Sequence, residues 1–291
     1  MAKTVNFEFY KCEFELNNNL PSMELSFSDF LYKPPSLDKD VYQVGGYKGF
    51  LKKINENIFV FQKLKHDFNP KLLDLKTGNE TEITLEEDEY VVEETFFYYD
   101  FDNNILIYHM NRSGFAPSAF EEYIKKLLNS HLKNNTFILK PILSKQGYEK
   151  LASQRIVKKI DLSVAQPSLG VLKELGFNVE QIVDMDIDSL SEIEIVFKSK
   201  RKHGILTIEN FKKIFGNFAS NPGIEKLKIH ASPSYESRQN QFDLLDDRYI
   251  VPRTISTIKG KTLDRNAIIF ALNELATEHI SMVLKLIDNV E

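Results

Sequence analysis

Basic side chains cluster in the second half of the chain, where their chemistry suits phosphate binding. Six Lys or Arg residues lie in residues 140–159 against the single Glu149, and six lie in residues 198–213 against Glu209. Such clusters neutralise a nucleic-acid backbone without reading its bases, although the same charges also suit an ordinary solvated surface. The residues expected to bind DNA are Lys158, Lys159, Lys198, Lys200, Arg201, Lys202, Lys212, Lys213, Lys226 and Lys228.

Acidic side chains are concentrated in the first half instead. Residues 80–102 contain ten carboxylates and no Lys or Arg, and the formal charge of the whole chain is −5. This balance excludes a uniformly basic protein coat of the kind that wraps nucleic acid. We expect this acidic block to face away from any bound DNA, where it can dock a partner or mimic DNA.

A second group of side chains suits metal chemistry. On a strand, Asp184, Asp186 and Asp188 would share one face with Glu194 nearby, and clustered carboxylates are what a Mg²⁺-dependent nuclease needs. The alternative is a polar loop before a strand whose exposed face carries Glu192 and Glu194. The Glu-x-Lys element that completes the common nuclease constellation is missing from this stretch.

Other catalytic signatures are absent from the sequence. The phosphate-binding motifs Gly-x-x-x-x-Gly-Lys-Ser/Thr and Gly-x-Gly-x-x-Gly do not occur, and the six His residues have no metal-binding spacing. The lone Cys12 cannot close an intramolecular disulfide. We expect no cofactor, no metal and no enzymatic activity. Without a signal-type segment or an apolar run of spanning length, the expected location is the cytoplasm.

Alternating apolar and polar residues predict strands in the N-terminal half. The alternation of residues 5–9 resumes out of phase at residues 12–16, which predicts a β-bulge near Tyr10-Lys11. Further along, apolar runs flank residues 55–57 and 102–104, both rich in Asn and Asp, which predicts two hairpins. This half is expected to be mostly antiparallel sheet.

A helix and a domain boundary follow. Ser118 and Glu121 have the spacing of a capping box and precede apolar residues at helical spacing, so a helix is predicted to about Leu132. The polar stretch 129–135 separates two segments. The predicted domains are residues 1–135 and residues 136–291.

The second domain mixes strands with short helices. Strands are predicted at residues 136–143, 156–164, 193–197 and 225–231, the last with Lys226, Lys228 and His230 on one polar face. An apolar stripe over residues 268–287 predicts a long amphipathic helix, which either packs on the protein's own sheet or mediates dimerisation. The predicted fold class is α+β, with an antiparallel-sheet-rich N-terminal segment and a mixed C-terminal segment that ends in this helix.

Several stretches resemble, in the same order, the RexA-like family of phage exclusion proteins. They are Gln43-Val44-Gly45, Leu51 to Ile54, Phe59 to Lys63, Ile107 to Ser118, Lys140 to Leu143, Leu169 to Gly176, Asp188 to Leu190 and Glu194 to Lys200. None of these stretches is a catalytic signature. The resemblance rests on their common order along the chain.

The resemblance implies a homodimeric cytoplasmic protein that binds DNA with little sequence preference. Members of that family sense phage infection and act with a membrane effector, and the trigger is a phage protein or a protein–DNA complex. Kiwa-type defence systems, which also pair a DNA-binding protein with a membrane protein, are a neighbouring possibility. Two other functions stay open: a metal-dependent nuclease of a defence system, and a protein-binding regulator.

Overall fold

A computed structural model gives the arrangement of strands and helices. It describes residues 2–15, 31, 40–66, 71–74, 76–82, 85–86, 88–131, 136–165, 192–199, 206–207, 224–258 and 262–288. The strands are β1 (Ala2–Glu15), β2 (Tyr42–Val44), β3 (Tyr47–Lys53), β4 (Ile58–Lys65), β5 (Lys71–Leu73), β6 (Glu80–Glu82), β7 (Val91–Asp100), β8 (Ile105–His109), β9 (Thr136–Pro141), β10 (Ile156–Ala165), β11 (Glu192–Lys198), β12 (Leu206–Thr207), β13 (Ile224–Ser232), β14 (Asn240–Asp243), β15 (Ile250–Ile258) and β16 (Thr262–Leu263). The helices are α1 (Pro117–His131), α2 (Lys145–Ala152) and α3 (Arg265–Asp288).

Strand β1 lies at the centre of a large antiparallel sheet. Within the described residues this sheet has nine strands in the order β16-β15-β1-β8-β7-β4-β3-β2, and β9 also pairs with β1. One edge of β1 pairs with β8 over Phe7–Lys11, and the other pairs first with β15 and then with β9. The hairpins β3–β4 and β7–β8 confirm the two hairpins predicted from the Asn-rich and Asp-rich turns.

Both faces of the large sheet are covered by a helix. Tyr10 and Phe97 belong to the buried cluster that includes residues of α1 on one face. Phe7 and Phe9 belong to the cluster on the opposite face, which includes Leu272 of α3. The sheet is therefore the middle layer of three, and its burial on both sides explains the high content of apolar and aromatic residues in its strands.

The predicted bulge at Tyr10-Lys11 is wrong. The register of β1 against β8 runs through these residues without a shift. Phe7 and Phe9 lie on the α3 side and Tyr10 and Cys12 on the α1 side. The change of phase in the sequence therefore reflects a strand that is buried first on one face and then on the other.

Helix α1 begins at Pro117, one residue before the predicted N-cap, Ser118. Proline suits this position because its missing N–H would have no partner within the helix. The predicted capping box does not form, since the Ser118 hydroxyl has no hydrogen-bond partner among the described residues. Glu121 instead accepts a hydrogen bond from Leu139 N of β9 at 3.0 Å and pairs with Lys125 at 2.7 Å. Its carboxylate fastens the helix to the sheet.

A smaller antiparallel sheet is built from the second half of the chain. Its order is β11-β10-β13-β14, with β12 also pairing with β10 among the described residues. One face is apolar, and Leu162 and Leu227 lie there in a cluster with Leu151 of α2. Strands β10, β11 and β13 confirm three of the strands predicted for this half, and β9 confirms the fourth. Separately, β5 and β6 pair as a two-stranded sheet.

The two larger sheets adjoin at the chain segments that directly precede α2 and β15. Leu143 forms an isolated antiparallel bridge with Arg248, and Ser144 N donates to Asp247 O at 2.8 Å. The Ser144 hydroxyl also accepts from Gly147 N at 3.2 Å and caps α2. Residues 136–291 are divided between the sheets, because β9, β15 and β16 belong to the large one.

The C-terminal helix α3 is long and apolar enough, over Arg265–Ile287, to cross a membrane by length and composition alone. Here its residues Ile268, Leu272, Leu275 and Val283 are buried against the large sheet. The core helix of a globular domain satisfies the same criterion. The predicted long C-terminal helix is confirmed, and it packs on β7, β8 and β15 of the large sheet.

Candidate nucleic-acid interface

The outer face of the small sheet carries several of the basic residues predicted to bind DNA. In β13, Leu227 and Ile229 are fully buried, whereas Lys226, Lys228 and His230 are partly exposed. Because successive side chains of a strand point to opposite faces, these three share the outer face. The polar face predicted for this strand is confirmed.

Three basic residues lie side by side at one end of this outer face. Lys159 of β10 is the register partner of Lys198 in β11 and of His230 in β13. Adjacent strands are about 4.8 Å apart, so this basic row of Lys198, Lys159 and His230 spans about 10 Å. Like charges directly opposite each other destabilise a sheet, so a nearby carboxylate stabilises such a row by offsetting the repulsion.

Asp161 supplies counter-charge to two members of the basic row. Its carboxylate lies 2.6 Å from Lys159 Nζ and 3.0 Å from His230 Nε2. Burial raises the pKa of Asp161, but the hydrogen bonds from Lys159 and His230 outweigh burial, and the pKa lies below its usual value. Among the described residues no carboxylate pairs with Lys198. The basic row therefore keeps an excess of positive charge.

Away from the basic row, the described lysines of the outer face are paired with carboxylates. Lys226 Nζ lies 3.1 Å from Glu194, and Lys228 Nζ lies 3.3 Å from Asp243. Sequence reasoning missed Asp161 and Asp243 as partners, although the alternation of polar and apolar residues in their strands could have placed both on the outer face. These carboxylates restrict the excess charge to one end of the sheet.

Lys158, also predicted to bind DNA, has a different role in the structure. The register of β10 with β13 shifts between Val157 and Lys159, so Lys158 has no partner residue in that ladder. Its Nζ donates hydrogen bonds to the carbonyl oxygens of Tyr235 and Ser237 at 2.9 and 3.0 Å. Lys158 thus fastens β10 to the loop that follows β13.

Half of the predicted DNA-binding residues lie between Lys198 and the start of β13. They lie outside the described residues and are Lys200, Arg201, Lys202, Lys212 and Lys213. The structure therefore brings Lys159 and Lys198 together and places Lys226 and Lys228 on the same face. The other five are known only as neighbours of the basic row in sequence.

The carboxylates of the alternative metal site are mostly outside the described residues as well. This applies to Asp184, Asp186 and Asp188, whereas Glu194 lies on β11 beside Lys226. Within the described part of the chain, no group of three or more His, Cys, Asp or Glu side chains is arranged to hold a metal ion. Cys12 is a buried free thiol, and burial raises its pKa.

Part of the acidic block, residues 80–102, lies in the large sheet rather than in the small one. Its residues Glu93 and Glu94 lie in β7 of the large sheet. Glu93 pairs with Lys65 at 3.5 Å, and Glu94 lies 3.7 Å from Arg265 of α3. The acidic strand and the basic row are therefore in different sheets.

Comparison with known families adds one finding. Residues 49–281 match DUF6731, a family of unknown function. The chain belongs to this family. The match begins in β3 and ends in α3, so it spans strands of both sheets and the positions of the basic row. No curated protein matches the chain.

Proposed function

We propose that this member of the DUF6731 family binds the phosphate backbone of DNA at the basic row. The observation that carries the proposal is the register that aligns Lys198, Lys159 and His230, of which only Lys159 and His230 pair with a carboxylate, Asp161, among the described residues. A phosphate above the row supplies the missing counter-charge through charge-assisted hydrogen bonds. Such contacts position DNA but do not read its bases, so we expect little sequence preference.

The sequence beyond β11 supports a binding surface larger than three residues. Residues 198–213 contain six Lys or Arg residues and one carboxylate, and they continue directly from Lys198. Each phosphate contact adds counterion release and hence affinity. The acidic β7 lies in the other sheet, and a separation of this kind lets the molecule's own field orient DNA toward the small sheet.

We further propose that DNA binding serves phage exclusion. The support is the collinear resemblance to RexA-like proteins, whose last stretch, Glu194 to Lys200, includes the end of β11. In this proposal the protein is a cytoplasmic homodimer that acts by binding rather than catalysis. It responds to DNA together with a phage protein and passes the signal to a membrane effector.

The proposal is tested by fluorescence anisotropy on a labelled duplex over a salt series from about 50 to about 300 mM. The Lys198→Ala variant removes one phosphate contact, so the slope of log affinity against log salt should become shallower by about 0.9. Lys145→Ala is the matched control, because Lys145 is exposed on α2 and its recorded ion pair is with Glu149 of the same helix. Its slope should equal that of the wild type.

Two results would count against DNA binding at this row. One is no binding by the wild type at about 50 mM salt, which would favour the protein-binding regulator. The other is the same slope in Lys198→Ala and Lys145→Ala. A Lys200/Arg201/Lys202→Glu variant extends the test to the adjoining segment, where charge reversal should weaken binding further than Lys198→Ala does.

Plasmid cleavage separates binding from nuclease activity. The binding proposal predicts intact plasmid after incubation with Mg²⁺ or Mn²⁺. Cleavage by the wild type that is lost in Asp186→Ala would instead assign the protein to the metal-dependent nucleases.

A further inference from the structure

A loop of residues 233–239 leaves the small sheet at the end where the basic row lies. It joins β13 to β14, whose pairing begins with Ala231 opposite Asn240. His230, one member of the basic row, directly precedes Ala231. The loop is therefore the next part of the described chain beyond the basic row on this side of the sheet.

Hydrogen bonds fix the backbone of this loop. Lys158 Nζ donates to the carbonyl oxygens of Tyr235 and Ser237 at 2.9 and 3.0 Å. The Ser232 hydroxyl donates to the carbonyl oxygen of Ser234 at 2.7 Å. These contacts hold the loop against β10. A loop that is already fixed loses little conformational freedom when it binds a ligand, so more of the contact energy appears as affinity.

The fixed loop presents an aromatic residue to solvent. Tyr235 is 52% exposed. Single exposed apolar or aromatic residues are normal on a protein surface and carry no meaning by themselves. The position of Tyr235 is what distinguishes it, because its carbonyl oxygen is hydrogen-bonded to Lys158, the residue before Lys159 of the basic row. An accessible aromatic ring thus lies next to a group of cations.

A second accessible apolar side chain lies on the other side of the basic row. Val196 is 54% exposed, and it precedes Lys198 by two residues in β11. Residues two apart in a strand share a face, so Val196 and Lys198 are neighbours on the outer face. The basic row therefore lies between Val196 on the sheet and Tyr235 in the loop.

This combination distinguishes between the two forms of DNA. A duplex presents its phosphates and stacks its bases inside, so an accessible ring meets no base face. A single strand presents phosphates and base faces together. Proteins that bind single strands combine a basic surface along the backbone with aromatic side chains on which bases stack. The basic row with the adjoining Tyr235 has both parts.

We propose that the ring of Tyr235 stacks on an unpaired base while the basic row holds adjoining phosphates, so that the protein binds single-stranded DNA more tightly than duplex DNA. The inference rests on the proposed DNA binding at the basic row and adds the form of the DNA. Every base has a π-face, so stacking of this kind agrees with little sequence preference. Lys158 is a positioning residue, since its hydrogen bonds hold Tyr235 beside the row.

Fluorescence anisotropy of the full chain with two labelled ligands tests the proposal: an oligothymidylate of about 15 nucleotides and a duplex of the same length. The wild type should bind the single strand about tenfold more tightly, as expected for one stacked base. Tyr235→Ala should lose this preference but keep the slope of log affinity against log salt, because the removed side chain carries no charge. Tyr235→Phe keeps the ring and should keep the preference.

A matched control and a second variant separate this proposal from DNA binding itself. Phe270→Ala removes an exposed ring from α3 of the other sheet and should bind both ligands as the wild type does. Stacking is overturned if the duplex binds as tightly as the single strand, if Tyr235→Ala keeps the preference, or if Tyr235→Phe loses as much affinity as Tyr235→Ala. Each of these results leaves backbone binding in place when Lys198→Ala still makes the salt slope shallower. An unchanged slope in Lys198→Ala would overturn binding at the basic row and this inference with it.

Discussion

The large sheet is covered by a helix on both faces, whereas the described residues place a helix on only one face of the small sheet. In β4 of the large sheet, residues 59–61 are all buried, because α1 lies on one side and α3 on the other. In β11 of the small sheet, Ile195 and Phe197 are half-buried against the core, while Val196 between them is 54% exposed. Covered faces serve packing, whereas the exposed Val196 and Lys198 mark a part of the small sheet's outer face that a partner can reach.

The two sheets also place their charges differently. The large sheet encloses Glu8 and His109, and burial shifts the pKa of both toward the neutral form. The small sheet keeps Lys159 partly exposed and Lys198 exposed, in reach of solvent. Buried ionisable groups in the first sheet affect stability, whereas surface basic groups in the second affect association with a polyanion.

The largest expected effect is the loss of an aromatic ring from the covered sheet. Phe97 is fully buried, and its ring centroid lies 5.3 Å from that of Phe59 and 4.7 Å from that of Phe120. Phe97→Ala should lower the free energy of unfolding by about 3–5 kcal/mol, measured by urea denaturation. Phe270→Ala removes the same ring from the exposed side of α3 and should change it by less than about 0.5 kcal/mol. Similar losses in both variants would contradict the described packing.

A smaller effect is expected from His109 in acid. Burial lowers its folded pKa from 6.5 to about 4. The folded form therefore binds fewer protons than the unfolded form between these values, and stability falls as pH drops from about 6.5 to about 4. The total loss from this group is about 3 kcal/mol.

Chemical denaturation over that pH range checks the effect of His109. His109→Gln should lack this part of the acid destabilisation, so its difference from the wild type should shrink as the pH falls. His66→Gln, which changes an exposed residue just after β4, should keep the wild-type profile. A constant difference between wild type and His109→Gln across the range would argue against burial of a neutral imidazole.

The smallest expected effect on the free energy of unfolding comes from a Val→Thr substitution, made once in each sheet. Val60 in β4 is fully buried, whereas Val196 in β11 is exposed on the outer face of the small sheet. Val60→Thr buries a hydroxyl group and should cost about 1–3 kcal/mol of unfolding free energy. Val196→Thr should change it by less than about 0.5 kcal/mol, as for most surface positions. A loss of more than about 1 kcal/mol in Val196→Thr would mean that this face of the small sheet is covered too.

Local features of the fold could be predicted from the sequence because their causes are local. Asn and Asp at residues 55–57 and 102–104 favour tight turns, and the two hairpins form there. The pairing of β1 with β15 joins residues far apart in the chain, and no local pattern indicates it. The predicted bulge was wrong for a related reason. Burial of both faces of β1 depends on α1 and α3, which come from distant parts of the chain.

The candidate site was predictable in type but not in detail. Runs of Lys and Arg indicated the strand end at Lys198, and the structure adds the neighbours Lys159 and His230. The carboxylate partner Asp161 and the buried ion pair of Glu8 with Arg248 depend on strand register and on chain segments distant in sequence. Residue types alone do not specify such contacts.

Lysine footprinting by acetylation and mass spectrometry tests most directly that the small sheet binds DNA. With excess duplex, Lys198 should become markedly less reactive, and Lys159 should follow to the extent that it is exposed. Lys145 on α2 and Lys52 on β3, both exposed in the structure, should keep their reactivity. Unchanged reactivity of Lys198 in the presence of bound DNA, or equal protection of Lys52, would contradict the assignment of DNA binding to the basic row.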